Sequence, residues 1–205
     1  NSADVYNAAK EKAGHKPIIV INTHYHSDHT NGNTYYTGSK IYIGGYDIDF
    51  LKNELKPDNM PTDFVKDSLV LNLGNETVIM YDMGQAHTTN DMVVYLKNRK
   101  VLFTGDLVFN KINPVLKKAS GADVDKWMDV LDKILIKFDI VKVVPGHGMI
   151  GGQEILVAME QYFADMKDAA AHPEMEEAVK TKYSNWQAVP TMSSPGATID
   201  YIKGK

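Results

Sequence analysis

The chain contains no cysteine. Disulfides, thiolate metal sites and a cysteine nucleophile are therefore excluded. Arginine is almost absent: Arg99 is the only one, which disfavours recognition of ligands by bidentate guanidinium clamps. Positive charge is not in excess either, with 22 Lys and Arg against 26 Asp and Glu and a net charge of -4. No basic field gathers phosphates, so no nucleic-acid partner is expected. No apolar run approaches the ~20 residues of a membrane-spanning helix, so no membrane partner is expected. Asn1–Gly14 is polar and does not resemble a secretory signal. The compartment stays open between cytoplasmic and periplasmic or secreted, since an export signal would precede Asn1.

What remains is a chain of 205 residues, 43% hydrophobic and 23% charged, which fits one folded domain. A core is expected over Ala9–Gln161, with a C-terminal helix and tail over 162–205. Ala3–Ala13 reads as a helix ended by Gly14. Pro17–Asn22 is a β-branched apolar run, read as a buried strand. Ile41–Ile43 is a second strand, Tyr46–Leu55 a helix, and Lys56–Asp67, with two prolines, a loop. Leu69–Leu73 with Thr77–Tyr81, and Met92–Leu96 with Val101–Thr104, form two hairpins. Asp123–Phe138 has a helical apolar period that buries Trp127. Ile140–Val144 is a strand, and Gln153–Ala171 and Glu174–Tyr183 are helices. The remaining tail is read as irregular. This mixture of strands and helices predicts an α+β domain with its site at strand ends.

Histidine stands out. His24, His26 and His29 fall within six residues, with Asp28 among them, immediately after the first strand. In extended backbone, residues i and i+2 point the same way, so His24 and His26 can grip one ion together. His87 follows the strand ending at Tyr81, Asp106 follows Val101–Phe103, and His147 follows Val141–Val144. Each has a glycine within three residues, where backbone can approach closely. Four strand exits thus end in residue types that ligate metals. His15 and His172 fall outside this pattern and read as surface residues.

The run His24-x-His26-x-Asp28-His29, followed in order by His87, Asp106 and His147, resembles the metallo-β-lactamase-fold hydrolases. Thr104-Gly-Asp-Leu-Val-Phe, Asp123-x-x-x-Trp127 and Val144-Pro-Gly-His-Gly look most like the glyoxalase II-like and quinoprotein-relay or cyclase-like members. The resemblance implies a four-layer αββα sandwich and two divalent metal ions. Zinc is expected, with iron or manganese as alternatives compatible with imidazole and carboxylate. His24, His26 and His87 would hold one ion, Asp28, His29 and His147 the other, and Asp106 would bridge them. Asp28 would also be catalytic, orienting water and relaying a proton to the leaving group. Many β-lactamases of this fold place a cysteine where Asp106 stands, and this chain departs from them.

The expected activity is hydrolysis of a small-molecule ester, thioester, lactone or amide. β-Lactam hydrolysis, an iron-dependent sulfur dioxygenase and an inactive truncated metal-binding scaffold are the competing readings. Asn110, Lys111, Tyr35 and Tyr36 are candidate substrate contacts because they lie close to ligands in sequence. Leu55–Val65 and Met149–Gly152 are candidate loops beside the site. Family members usually carry a longer stretch before the first histidines. The first strands of the sandwich are therefore expected to be missing or replaced, with homo-oligomerisation through the exposed N-terminal sheet edge as compensation.

Overall fold

A computed structural model describes residues 1–189 and 192–204. The N-terminal helix α1 (Ser2–Ala13) is closed by a capping box between Asn1 and Asp4. It buries no residue and rests against the following chain through Tyr6, whose ring meets Tyr35 and Tyr36. Strand β1 (Ile19–Ile21) leads to the short helix α2 (Ser27–Thr30) and a 3-10 turn over Asn31–Tyr36. Helical backbone starts at Ser27, so Asp28 and His29 lie on it.

Strand β2 (Lys40–Gly44), helix α3 (Ile48–Glu54) and strand β3 (Asp63–Val65) complete the first half. β1, β2 and β3 form a parallel three-stranded sheet in that order, leaving β1 at an edge. β3 corrects the reading of Lys56–Asp67 as a loop. Its pairing with β2 supports it, and the Thr62 hydroxyl accepts from the Ile41 backbone N–H at 2.8 Å beside it.

The second sheet has five strands in sequence order: β4 (Ser68–Asn72), β5 (Thr77–Gly84), β6 (Asp91–Leu96), β7 (Val101–Asn110) and β8 (Lys142–Gly148). All neighbours are antiparallel except β7 and β8, which are parallel and joined by helix α4 (Val124–Lys137). The expected hairpins are present, with β5 and β7 running further than their apolar cores suggested. Helices α5 (Glu154–Ala171), α6 (Glu176–Lys182) and α7 (Pro195–Ile202) come next. α7 corrects the reading of the tail as irregular; Ser194 caps it and Pro195 opens it.

Alternation along the strands sorts the side chains into layers. Val78, Met80, Met92 and Val94 face Tyr42 and Val65 between the sheets. Val93, Tyr95 and Leu102 face the other way and pack with Trp127, Leu131, Leu156 and Phe163 under α4 and α5. Ile43, Leu51 and Leu55 bury the far face of the small sheet under α3. The order helix, sheet, sheet, helix is the expected four-layer arrangement, with three strands facing five. No described helix is long and apolar enough to cross a membrane.

Candidate metal centre and its cleft

The chain leaves β1 at Asn22, whose buried amide fixes the turn beyond it. Asn22 Nδ2 donates to the His29 carbonyl at 2.9 Å, and the Asn33 amide donates back to Asn22 Oδ1 at 2.9 Å. The Thr30 hydroxyl donates to the Tyr25 and His26 carbonyls. These bonds clamp Thr23–Thr30 into one turn with four ligand-type side chains directed inward.

The β5–β6 loop presents His87. Asp91 at the start of β6 accepts from the Thr88 N–H at 2.8 Å and meets the Thr88 hydroxyl at 3.0 Å. Burial pushes the Asp91 carboxyl up to about 7, despite those bonds from Thr88. The Tyr46 hydroxyl reaches Thr88 Oγ1 and the Asn90 carbonyl in the same buried network.

β7 and β8 supply Asp106 and His147. Their register is irregular around Gly105, which has φ of 53°. A side chain there would strike Thr23, and one at Gly146 would strike the Asp106 carboxylate. Both glycines are required by close approach, and that approach brings Asp106, inside β7 rather than after it, and His147, inside β8, to one point.

The seven side chains singled out in the sequence come together as two groups sharing one member. His24, His26, His87 and Asp106 offer donor atoms within 4.8 Å of one another, and so do Asp28, His29, Asp106 and His147. In the first group, His26 Nδ1 lies 3.1 Å from both His24 Nε2 and His87 Nε2. Three ring nitrogens thus converge where one proton cannot serve all of them, a donor set that suits a metal ion. His26 Nε2 lies 3.0 Å from the Ser120 hydroxyl, a contact that fixes the ring. His24 Nδ1 meets Thr23 Oγ1 at 3.2 Å.

Asp106 sits between the groups. Its Oδ2 lies 3.4 Å from His87 Nε2 and 3.3 Å from His147 Nε2, and its Oδ1 lies 3.0 Å from His29 Nε2. Asp28 Oδ2 is 3.4 Å from both His29 and His147. A carboxylate shared by two such groups offsets repulsion between two dications. Either group could therefore hold a divalent metal ion.

Electrostatics differ across the centre. Burial holds His24 well below its usual value and pushes His87 down to about 3. Burial also lowers His26. Hydrogen bonds to Asp106 and Asp28 lift His147 to about 10. Burial opposes the same effect at His29, but Asp106 and Asp28 outweigh it and raise this ring to about 9. Burial pushes the Asp106 carboxyl up, yet bonds from His147 and His29 win and hold it well below the usual range. Asp28 is held low by the same two histidines.

The centre opens into a cleft of about 310 Å³. Ser27, Phe109, Val115, Lys117, Val189 and Met192 line it together with His26, Asp28, His87, Asp106 and His147. None of the substrate contacts expected from sequence is among them. Asn110 instead donates to the Met149 carbonyl, exposed Lys111 accepts the Gln187 N–H through its backbone, and Tyr35 and Tyr36 pack on Tyr6. Leu55–Val65 and Met149–Gly152 do not line the cleft either. Val115 and Lys117 lie a few residues after β7, and no motif marked them. Val189 and Met192 come from the far end of the chain, beyond the reach of sequence proximity.

Trp127 is fully buried, as its helical period predicted, and its Nε1 donates to the Leu107 carbonyl at 3.0 Å. Its ring backs onto His87 at 5.1 Å. Trp186 stacks on Tyr162 rather than facing the cleft. His15 and His172 are exposed and apart from the centre.

Comparison with known proteins bears on this arrangement. The family model described as the metallo-beta-lactamase superfamily matches residues 3–147. Among curated relatives, the metallo-beta-lactamase type 2 of Bacteroides fragilis is 31% identical over 161 residues, 77% of this chain and 64% of that protein. Metallo-beta-lactamase IND-1 of Chryseobacterium indologenes is 26% identical over 67% of this chain and 58% of its own length. The chain thus matches 58–64% of the length of these two relatives. Among solved structures, TMB-1 gives a TM-score of 0.67 at 25% identity, covering 79% of this chain and 74% of that one. A metallo-beta-lactamase from Pontibacter korlensis gives 0.67 at 22% identity over 80% and 76%, a likeness of fold alone. These matches do not single out the glyoxalase II-like subgroup suggested by the Thr104–Phe109 and Val144–Gly148 runs.

Proposed function

Because the chain belongs to the metallo-beta-lactamase superfamily, we propose that it is a metal-dependent hydrolase of small molecules with an electrophilic carbonyl. The observation carrying this reading is the meeting of seven ligand-type side chains in two groups that share Asp106. In this reading His24, His26 and His87 hold one divalent ion, Asp28, His29 and His147 the other, and Asp106 bridges them. Zinc suits the donor set, and iron or manganese are the alternatives. Ions held there supply Lewis acidity that acidifies water and polarises a carbonyl.

The side chains around them have separate tasks. Asp28 is half exposed to the cleft while its Oδ2 faces His29 and His147, so it can orient water and pass a proton toward a leaving group. His24 and His87 are buried on the dry side and keep bulk water from the reacting atoms. Phe109 lies against His147 with ring centroids 5.0 Å apart and limits how that ring can turn.

The substrate is an ester, thioester, lactone or amide. A second reading, β-lactam hydrolysis, is favoured by the names of the curated relatives. Zinc-loaded protein assayed against an ester, thioester and lactone panel beside nitrocefin separates them. Nitrocefin turnover well above the panel selects the β-lactam reading, and no turnover of any substrate by fully loaded protein rejects hydrolysis. Asp28→Asn is expected to retain metal and lose on the order of 10²-fold in kcat. Self-association at the β1 edge belongs to the same proposal. Light scattering at micromolar concentration tests it, and a strictly monomeric chain rejects it.

A further inference from the structure

Part of the lining of the cleft comes from the C-terminal tail, outside the 3–147 span matched by the family model. After α6 the chain returns to the exit of β7. The Gln187 N–H donates to the Lys111 carbonyl at 2.9 Å, and the Asn113 N–H donates to the Gln187 carbonyl at 2.8 Å. Asn113 is 2% exposed and spends its whole side chain on this junction. Its Nδ2 donates to the Trp186 and Gln187 carbonyls, and its Oδ1 accepts from Tyr162. Trp186 stacks on Tyr162 at 4.9 Å. Beyond the junction, the Val189 carbonyl accepts the Met192 and Ser193 N–H groups, and the Ser193 hydroxyl accepts the Val189 N–H at 2.9 Å.

The tail is therefore pinned at Gln187, and Val189 bonds to both Met192 and Ser193. The two described side chains that the tail brings to the cleft are apolar, Val189 and Met192, beside Val115 and Phe109. Met192 is 43% exposed in a concave site next to the ligand groups, so its apolar surface is available to whatever enters.

We propose that Val189 and Met192 form a specificity-determining wall of the cleft, and that the substrate carries an uncharged aliphatic group beside its scissile carbonyl, seated on Val115, Val189 and Met192. This rests on the hydrolase reading for the scissile carbonyl but not for the wall. Burying each added methylene there strengthens binding about fourfold.

The test uses the zinc-loaded full chain and a series of alkanethiols from ethanethiol to hexanethiol, with 3-mercaptopropionate beside propanethiol. The expected result is a Kd that falls about fourfold per methylene in the parent protein. Met192→Asp and Val189→Asp flatten the series, and Met192→Leu keeps it steep. A flat series in the parent overturns the proposal. So does a Kd set by the terminal carboxylate rather than by chain length, which would make Lys117 the recognising group. Nile red added to metal-free chain reads the wall without the metal centre. Its fluorescence gain is expected to drop in Met192→Asp and persist in Leu73→Asp, an exposed site elsewhere. Equal gains in both variants overturn the wall even if zinc loads, and failure of zinc to load overturns the hydrolase reading alone.

Discussion

The two ligand groups share Asp106 but stand on different ground. His24 and His87 are almost sealed from solvent, and burial keeps their rings neutral. Around His29 and His147, nearness to two carboxylates overcomes burial, and both rings carry protons at neutral pH. The first group is ready for a cation as it stands. In the second, two protons occupy positions a dication would take, and they balance the charges of Asp28 and Asp106. Burial and carboxylate proximity are thus opposed levers on the same residue type, separated here by a few ångströms. In this reading the first group fills first and the second fills in competition with protons.

Breaking the first group gives the largest effect. His87→Ala removes a buried ring packed against Trp127 and Phe109, and is expected to lower hydrolysis on the order of 10³-fold, roughly 4 kcal/mol of barrier. Elemental analysis of that variant should show both ions weakened. His147→Ala acts on the more exposed side. It is expected to leave about one zinc per chain and to cost about 10²-fold in rate. Equal zinc loss in the two variants would erase the distinction between the groups.

Acidity sharpens the contrast further. His29 at about 9 and His147 at about 10 stay protonated through neutral pH in the metal-free chain, so an ion must displace both protons. The second affinity therefore rises with pH, about tenfold per unit for each proton displaced, and levels off only above those values. Burial has already stripped His24 and His87, so the first affinity is nearly flat above about pH 7. A chelator-competition titration at several pH values reads both slopes. The smallest effect is expected from Ser120→Ala, which frees His26 Nε2. It should weaken the first ion about tenfold and leave the second untouched.

The ligands were legible because each stands where an apolar run gives way to polar residues and glycine, although Asp106 and His147 lie within β7 and β8 rather than beyond them. The fold class came from the same pattern. β3 was hidden because Asp63–Val65 is too short to show a period and lies just after two prolines; β2 gives it a partner only in three dimensions. α7 did carry a signal, Ser194 before Pro195, but the surrounding serines and glycine read as coil. The cleft was least legible. Asn110 and Tyr36 are near ligands along the chain and turn elsewhere, whereas Val189 and Met192 arrive through a junction at Asn113 that no local pattern announces.

A carboxylate at the seam of the centre also decides how the protein meets oxidants. A thiolate in the place of Asp106 could climb from sulfenate to sulfonate and lose its ligand character. Asp106 has no such ladder, and no cysteine elsewhere in the chain can form a mixed disulfide. Among the described residues lining the cleft, the one that carries sulfur is Met192. Peroxide would turn that side chain polar and leave the ligand set chemically intact. Oxidative damage at this centre would then register as altered substrate preference before it registered as loss of metal.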